Sequence, residues 1–160
     1  MTNTSSASLP ARHPAFLIAT WFGAGLLPRA PGTWGSLAAL PFAWALSSVG
    51  GPMPLAVATV AVSLIGWWAA SVYVRRTGVA DPSEVVVDEV AGQWLALILV
   101  PPEPLLYLAA FALFRLFDIR KPWPVGWADR EVGGGLGVML DDIFAGLYAA
   151  LIMGALLYWR

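Results

Sequence analysis

The stretch Glu84-Val85-Val86-Val87-Asp88-Glu89-Val90-Ala91-Gly92-Gln93-Trp94-Leu95-Ala96-Leu97-Ile98-Leu99-Val100 decides how this chain is read. An acidic pair, Asp88-Glu89, stands at the mouth of a greasy run, Val90–Val100. The run falls short of the roughly 20 residues that cross a bilayer. It becomes long enough if the helix carries on into its polar flank, over Glu84–Val100. Charge at the end of such a segment is expensive at a membrane surface unless it binds something.

The same pattern recurs at the other end of the sequence. Asp141-Asp142 opens the last apolar run, Ile143–Trp159. In both places a glycine falls four residues after an aspartate, Asp88 to Gly92 and Asp142 to Gly146, one helical turn deeper on the same face. A glycine there lets two helices approach closely just beneath their carboxylates. Like charges brought together in this way need a cation or protons to be tolerated. Acidic residues in a first turn also suit the helix dipole. That accounts for one acid well, and for two adjacent pairs on two helices poorly, so a metal site is the favoured reading.

The remaining apolar runs are Leu37–Val49, Leu55–Val74 and Leu105–Phe117. Only Leu55–Val74 clears span length easily, and Ile143–Trp159 is borderline. Gly50-Gly51-Pro52 and Pro101-Pro102-Glu103-Pro104 read as tight turns between runs. Successive crossings then alternate between two sides. Seven of the nine basic residues (Arg29, Arg75, Arg76, Arg115, Arg120, Lys121 and Arg130) fall on one side, together with both acidic pairs and Asp118. The excess of basic residues makes that side cytoplasmic. The expected fold is all-α, a compact bundle of about five to seven helices, membrane-embedded with about five short spans and an amphipathic piece near Pro14–Trp21.

Composition agrees. Of 160 residues, 59 % are hydrophobic and 12 % charged, where soluble domains have about 45–50 % and about 25 %. Mean hydropathy is +0.71. Nine Trp and thirteen Pro suit interfaces and spans. A net charge of −1 gives no case for nucleic acid. There is no Cys, which excludes a thiolate nucleophile and a zinc–thiolate site. The single His, His13, follows a Ser/Thr/Ala-rich segment; residues 1–12 are expected to be a disordered tail and 13–160 one helical domain. Met1–Pro10 has no basic start and the first apolar stretch is short, so no secretory signal is expected.

Two further elements complete the candidate site. Gly23-Ala24-Gly25-Leu26-Leu27-Pro28-Arg29-Ala30-Pro31-Gly32-Thr33-Trp34-Gly35-Ser36 could turn with its N–H groups exposed to an oxyanion, with Arg29 adding a cation, although Gly/Pro loops mostly just turn. In Phe114-Arg115-Leu116-Phe117-Asp118-Ile119-Arg120-Lys121-Pro122-Trp123-Pro124, Asp118 ends a helix. Arg120 and Lys121 either anchor at the membrane surface or bind phosphate, and Trp123 and Trp127 suit headgroup depth. Oxygen ligands without Cys or a usable His point to a hard cation, Mg²⁺ before Zn²⁺. Cysteine, histidine and Asp-x-Asp phosphatase chemistries lack their residues here. Attack on phosphorus by a water activated by a divalent ion remains, or an Asp nucleophile of another sort; water attack is preferred.

Taken jointly, the blocks at 23–36, 88–92, 114–122 and 134–146 resemble the phosphatidylglycerophosphatase A family, in order from about Phe22 to Gly146. The resemblance implies a Mg²⁺-dependent lipid phosphatase of the bacterial inner membrane. Such an enzyme hydrolyses the phosphate monoester of phosphatidylglycerophosphate, a membrane phospholipid. It also implies that Asp88, Glu89, Asp118, Asp141 and Asp142 form the acidic site, with Asp88, Glu89, Asp141 and Asp142 on the metal, and Arg29, Thr33, Arg115 and Lys121 on the phosphate side. Two rivals are a small membrane transporter or channel subunit, and a soluble all-helical metal-dependent phosphatase. Transport sites tend to lie near the midplane, whereas Leu55–Val74 and Ile143–Trp159 carry no charge in their interiors.

Overall fold

The computed structural model describes residues 9–159. Most of the expected N-terminal tail, residues 1–8, lies outside them; Leu9 is buried against the bundle. Among the described residues there are seven α-helices and no strand. They are α1 (Pro14–Ala19), α2 (Pro31–Gly50), α3 (Pro52–Thr77), α4 (Val87–Leu97), α5 (Pro104–Arg120), α6 (Val125–Glu131) and α7 (Gly134–Tyr158). A short 3-10 turn, Ala24–Leu26, precedes α2.

Local chemistry sets these boundaries. Pro opens α1, α2, α3 and α5 at a position whose missing N–H is of no consequence. Gly51, at φ +69°, forms the whole connection between α2 and α3. Gly78 ends α3 in the left-handed conformation that glycine adopts freely. The Trp94 indole N–H donates to the Ala39 carbonyl at 2.9 Å, tying α4 to α2. The Val86 N–H donates to the Ala19 carbonyl at 2.8 Å, pinning the segment before α4 to α1.

The helix α2 begins at Pro31, inside the stretch read as a loop ahead of Leu37–Val49, and two helices depart further from the sequence expectation. The first, α4, has 11 residues and begins at Val87, not Glu84. At about 16 Å it is half a bilayer long, and nine of its residues are buried. It is the central post of the bundle, not a span. The segment before it turns away to line a cavity instead of extending the helix. The second, α7, starts nine residues before Ile143 and runs for 25 residues. Asp141 and Asp142 therefore lie two turns inside it. A first-turn dipole role, available to Asp88 and Glu89, does not apply to them.

Two helices, α3 and α7, are long and apolar enough to cross a bilayer. In α3 only 33 % of the most apolar window is buried within the protein. Val57, Val60, Leu64, Ile65, Trp67 and Trp68 face outward. A contiguous apolar face of that length points to membrane association.

The centre of the bundle is the crossing of α4 and α7. A Cβ added to Gly92 would lie 2.5 Å from the Asp142 carbonyl oxygen, and one added to Gly146 would lie 2.3 Å from the Gly92 carbonyl. Both are closer than any side chain permits, so these two glycines set the helix spacing. Gly92→Ala is expected to destabilise by about 1–3 kcal/mol through overpacking, lowering Tm by roughly 3–10 °C. Gly154→Ala, on a stretch of α7 with open space around it, should leave Tm unchanged or slightly higher. Thermal unfolding of both variants in detergent micelles checks this.

Candidate active site

One end of the bundle encloses a cavity of about 500 Å³. Its walls are the starts of α2, α4 and α7, the end of α5, the segment Ala80–Val85, and α6. The alternation of the helices brings these ends together from positions 30 to 142. Asp88, Glu89, Arg115, Asp118, Lys121, Asp141 and Asp142 all line it.

The acids divide into two groups. Asp88, Glu89 and Asp142 each present a carboxylate oxygen within 4.8 Å of the others. Asp88 and Asp142 are only 7 % and 3 % exposed. Asp141 faces Lys121 instead, accepting from its Nζ at 2.9 Å, and Lys121 also donates to Asp129. Arg115 donates to Asp118, and its Nη1 lies 3.9 Å from Glu89 Oε1. Arg115 thus joins the three converging carboxylates to Asp118, while Lys121 is shared between Asp129 and Asp141.

Burial, and after it the neighbouring Glu89 charge, push the Asp88 carboxyl well above the usual carboxylate range. Burial also raises Glu89, against the lowering effect of its hydrogen bond with Asp88 and of the Arg115 charge. For Lys121, burial works against the ammonium. The Asp129 and Asp141 carboxylates outweigh it and hold the amine protonated beyond the ordinary lysine range. Lys121 also takes a left-handed backbone, φ +46°, at the end of α5. A side chain disfavours that conformation, and such strain gathers at functional positions.

The donor set fits a hard divalent cation. It is all oxygen. Asp142 Oδ1 is buried with no protein partner, and like charges this close need a counter-charge.

Of the expected phosphate-side residues, Arg115 and Lys121 reach the cavity. Arg29 is exposed and Thr33 half-buried, and neither lines it. The N–H groups of Thr33 and Trp34 both donate to the Ala30 carbonyl, at 2.9 and 3.4 Å, so they are spent within the turn. The loop supplies a wall instead. A Cβ on Gly32 would fall 2.0 Å from Glu89 Oε1 and 3.1 Å from Arg115 Nη1. Asp129 escaped the sequence reading: it lies eight residues from Lys121, beyond a Pro-rich turn, with no local pattern to mark it.

A helical bundle with clustered acids and paired cations around an end cavity has the make-up of a hydrolase acting on phosphate esters. The family model for phosphatidylglycerophosphatase A matches residues 17–157, and the chain belongs to that phosphatase family. It is 39 % identical to phosphatidylglycerophosphatase A of Escherichia coli (strain K12) over 94 % of this chain and 88 % of that one. The Haemophilus influenzae protein of the same name is 38 % identical, over 92 % and 91 %. A Bacteroides thetaiotaomicron protein, provisionally named phosphatidylinositol-3-phosphatase, is 40 % identical over 89 % and 94 %. No solved structure gave a significant match. Membership of an enzyme family sets the transporter reading aside.

Two outcomes follow from the acid cluster. Removing one of three crowded charges relieves repulsion, so Asp142→Asn should melt a few degrees higher than wild type in chelator. Adding Mg²⁺ at 100 times its Kd should stabilise wild type by about 2.7 kcal/mol and the variant hardly at all. Differential scanning fluorimetry with and without the ion reads both. Separately, Gly32→Ala must displace the Glu89 carboxylate. Phosphate-release kinetics are expected to show at least a roughly tenfold loss of kcat, as when misplaced groups disturb a reacting geometry.

Proposed function

We propose that this protein hydrolyses the phosphate monoester of phosphatidylglycerophosphate, releasing phosphatidylglycerol and inorganic phosphate, as a step of phospholipid biosynthesis. The observation that carries the reading is the gathering of three carboxylates within 4.8 Å beside Arg115, in a cavity that Lys121 also lines, in a chain of this family. The names of the Escherichia coli and Haemophilus influenzae relatives support the substrate.

In this reading α3 and α7 cross the bacterial inner membrane and the cavity opens at its cytoplasmic face. Arg75 and Arg76, exposed at the end of α3, and the other basic residues at that end support the orientation. The substrate keeps its acyl chains in the bilayer and presents its terminal phosphate to the cavity. Asp88, Glu89 and Asp142 would hold Mg²⁺, which supplies Lewis-acid stabilisation of phosphoryl charge when bound. Arg115 and Lys121 donate to the phosphate oxygens and offset their charge. Asp141 and Asp129 orient the Lys121 ammonium. Asp118, held by Arg115, accepts the proton of the attacking water at a carboxylate oxygen. Water gives its hydroxyl to phosphorus, the phosphorus–oxygen bond to the glycerol breaks, and the proton ends on that glycerol oxygen.

The test is phosphate release in detergent–lipid micelles from phosphatidylglycerophosphate, phosphatidic acid and phosphatidylinositol 3-phosphate, with Mg²⁺ and with chelator. The expected result is preference for phosphatidylglycerophosphate, loss of activity in chelator, and a fall of about 10²-fold or more for Asp142→Asn. Equal rates without a divalent ion, a preference for the inositol lipid, or full Mg²⁺-dependent activity in Asp142→Asn would contradict the reading.

A further inference from the structure

Gln93 is fully buried in α4, and neither its amide oxygen nor its amide nitrogen has a protein partner. It does not line the cavity. An amide buried without hydrogen bonds destabilises a fold, and a methionine of similar length would fill the space without that penalty. The amide therefore calls for a partner that the side chains do not supply.

Its position indicates which one. Gln93 lies four residues after Glu89, one turn deeper on the same helix face. Helical side chains slant toward the N-terminus, so the Gln93 amide rises toward the underside of the Glu89 carboxylate. Three more buried atoms in this region lack protein partners, Glu89 Oε2, Arg115 Nε and, on the cluster side, Asp142 Oδ1. Arg115 is already beside Glu89, with Nη1 3.9 Å from Oε1. Phe114, its neighbour in sequence, packs on Gly92 so closely that a Cβ there would meet the ring at 2.5 Å. That seats this turn of α5 against the turn of α4 carrying Glu89 and Gln93.

The unpaired atoms are complementary. Arg115 Nε–H donates, Glu89 Oε2 accepts, and the Gln93 amide does both. One water has the capacity to join them: it accepts from Arg115 Nε–H and Gln93 Nε2–H, and donates to Glu89 Oε2 and Gln93 Oε1. Enclosed waters in proteins make about three such bonds.

We propose that Gln93 is a positioning residue. Through an enclosed water it fixes the lower oxygen of Glu89, and with it the Glu89–Arg115 pair, so that Oε1 stays presented to the cavity against Gly32. Without that anchor the terminal torsion of Glu89 is soft and the carboxylate swings. The effect on rate rests on the phosphatase reading above; the water itself does not.

The experiment joins three readouts on protein in micelles: Tm, kcat and KM for Mg²⁺-dependent phosphate release from phosphatidylglycerophosphate, and a water-to-amide nuclear Overhauser effect at the Gln93 side chain. Gln93→Met should keep or raise Tm, lower kcat by about 10–100-fold, and leave KM within about threefold. Gln93→Asn keeps the amide and leaves room for a second water, so it should recover most of kcat even if it melts lower. A purely structural glutamine would give the reverse order, with rate following Tm. The proposal is overturned if Gln93→Met turns over at the wild-type rate, if Gln93→Asn is no faster than Gln93→Met, or if the Gln93 amide shows no contact with a long-lived water. Should Gln93→Met not fold, the asparagine variant and the Overhauser effect decide. A wild-type protein that releases no phosphate would sink the proposed function, and the Overhauser effect would still decide the water.

Discussion

Carboxylates that repel one another are held together here by backbone geometry. Gly92 and Gly146 let α4 and α7 cross at a distance no side chain would permit, and that crossing carries Asp88 and Glu89 to Asp142. The cluster is the consequence of the crossing, not its cause. Without a counter-charge three crowded acids, two of them buried, strain the fold. The packing beneath them must absorb that strain: the fully buried Phe114 against Gly92, the Trp94–Ala39 hydrogen bond, and the small residues of α7.

The two cations answer different needs. Arg115 lies on the cluster side, between Asp118 and Glu89, and sets the cluster's outer edge. Lys121 stands across the cavity on a strained backbone, gripped by Asp129 and Asp141. Its charge is thereby secured, yet its amine stays partly exposed to the cavity. Internal pairing of this kind offsets part of the cost of holding a cation in the site's low dielectric.

Much of the fold was legible because proline and glycine punctuate it. The turn at Gly51 and the proline starts of α3 and α5 follow directly from local stereochemistry, whereas the start of α2 at Pro31 lay inside the stretch read as a loop. The Asp-to-Gly spacing foretold the crossing for the same reason, since a helix repeats its face every turn. The limits are also physical. Apolar length does not separate a buried post from a span, so α4 read as a crossing helix while its 11 residues sit inside the bundle. The start of α7 was hidden because Gly134, Gly135 and Gly137 mimic a loop; Gly134 takes a positive φ, Gly135 lets Ser71 of α3 approach, and Gly137 lets the Val132 carbonyl approach. Arg29 sits in a loop and Thr33 in the first turn of α2, where the motif suggested donors, while the Thr33 and Trp34 N–H groups close that turn. The partnership of Lys121 with Asp129 and the isolation of Gln93 depend on how distant segments pack, which no spacing rule carries.

The central claim is that Asp88, Glu89 and Asp142 share one divalent ion. Crystals or vitrified particles of the protein loaded with Mn²⁺, which prefers oxygen ligands as Mg²⁺ does, would test it through the anomalous signal or the ion density. The account predicts a peak within coordination distance of all three carboxylates and adjoining the space between Arg115 and Lys121. A cavity without a peak at saturating ion, or a peak away from these three side chains, would contradict it.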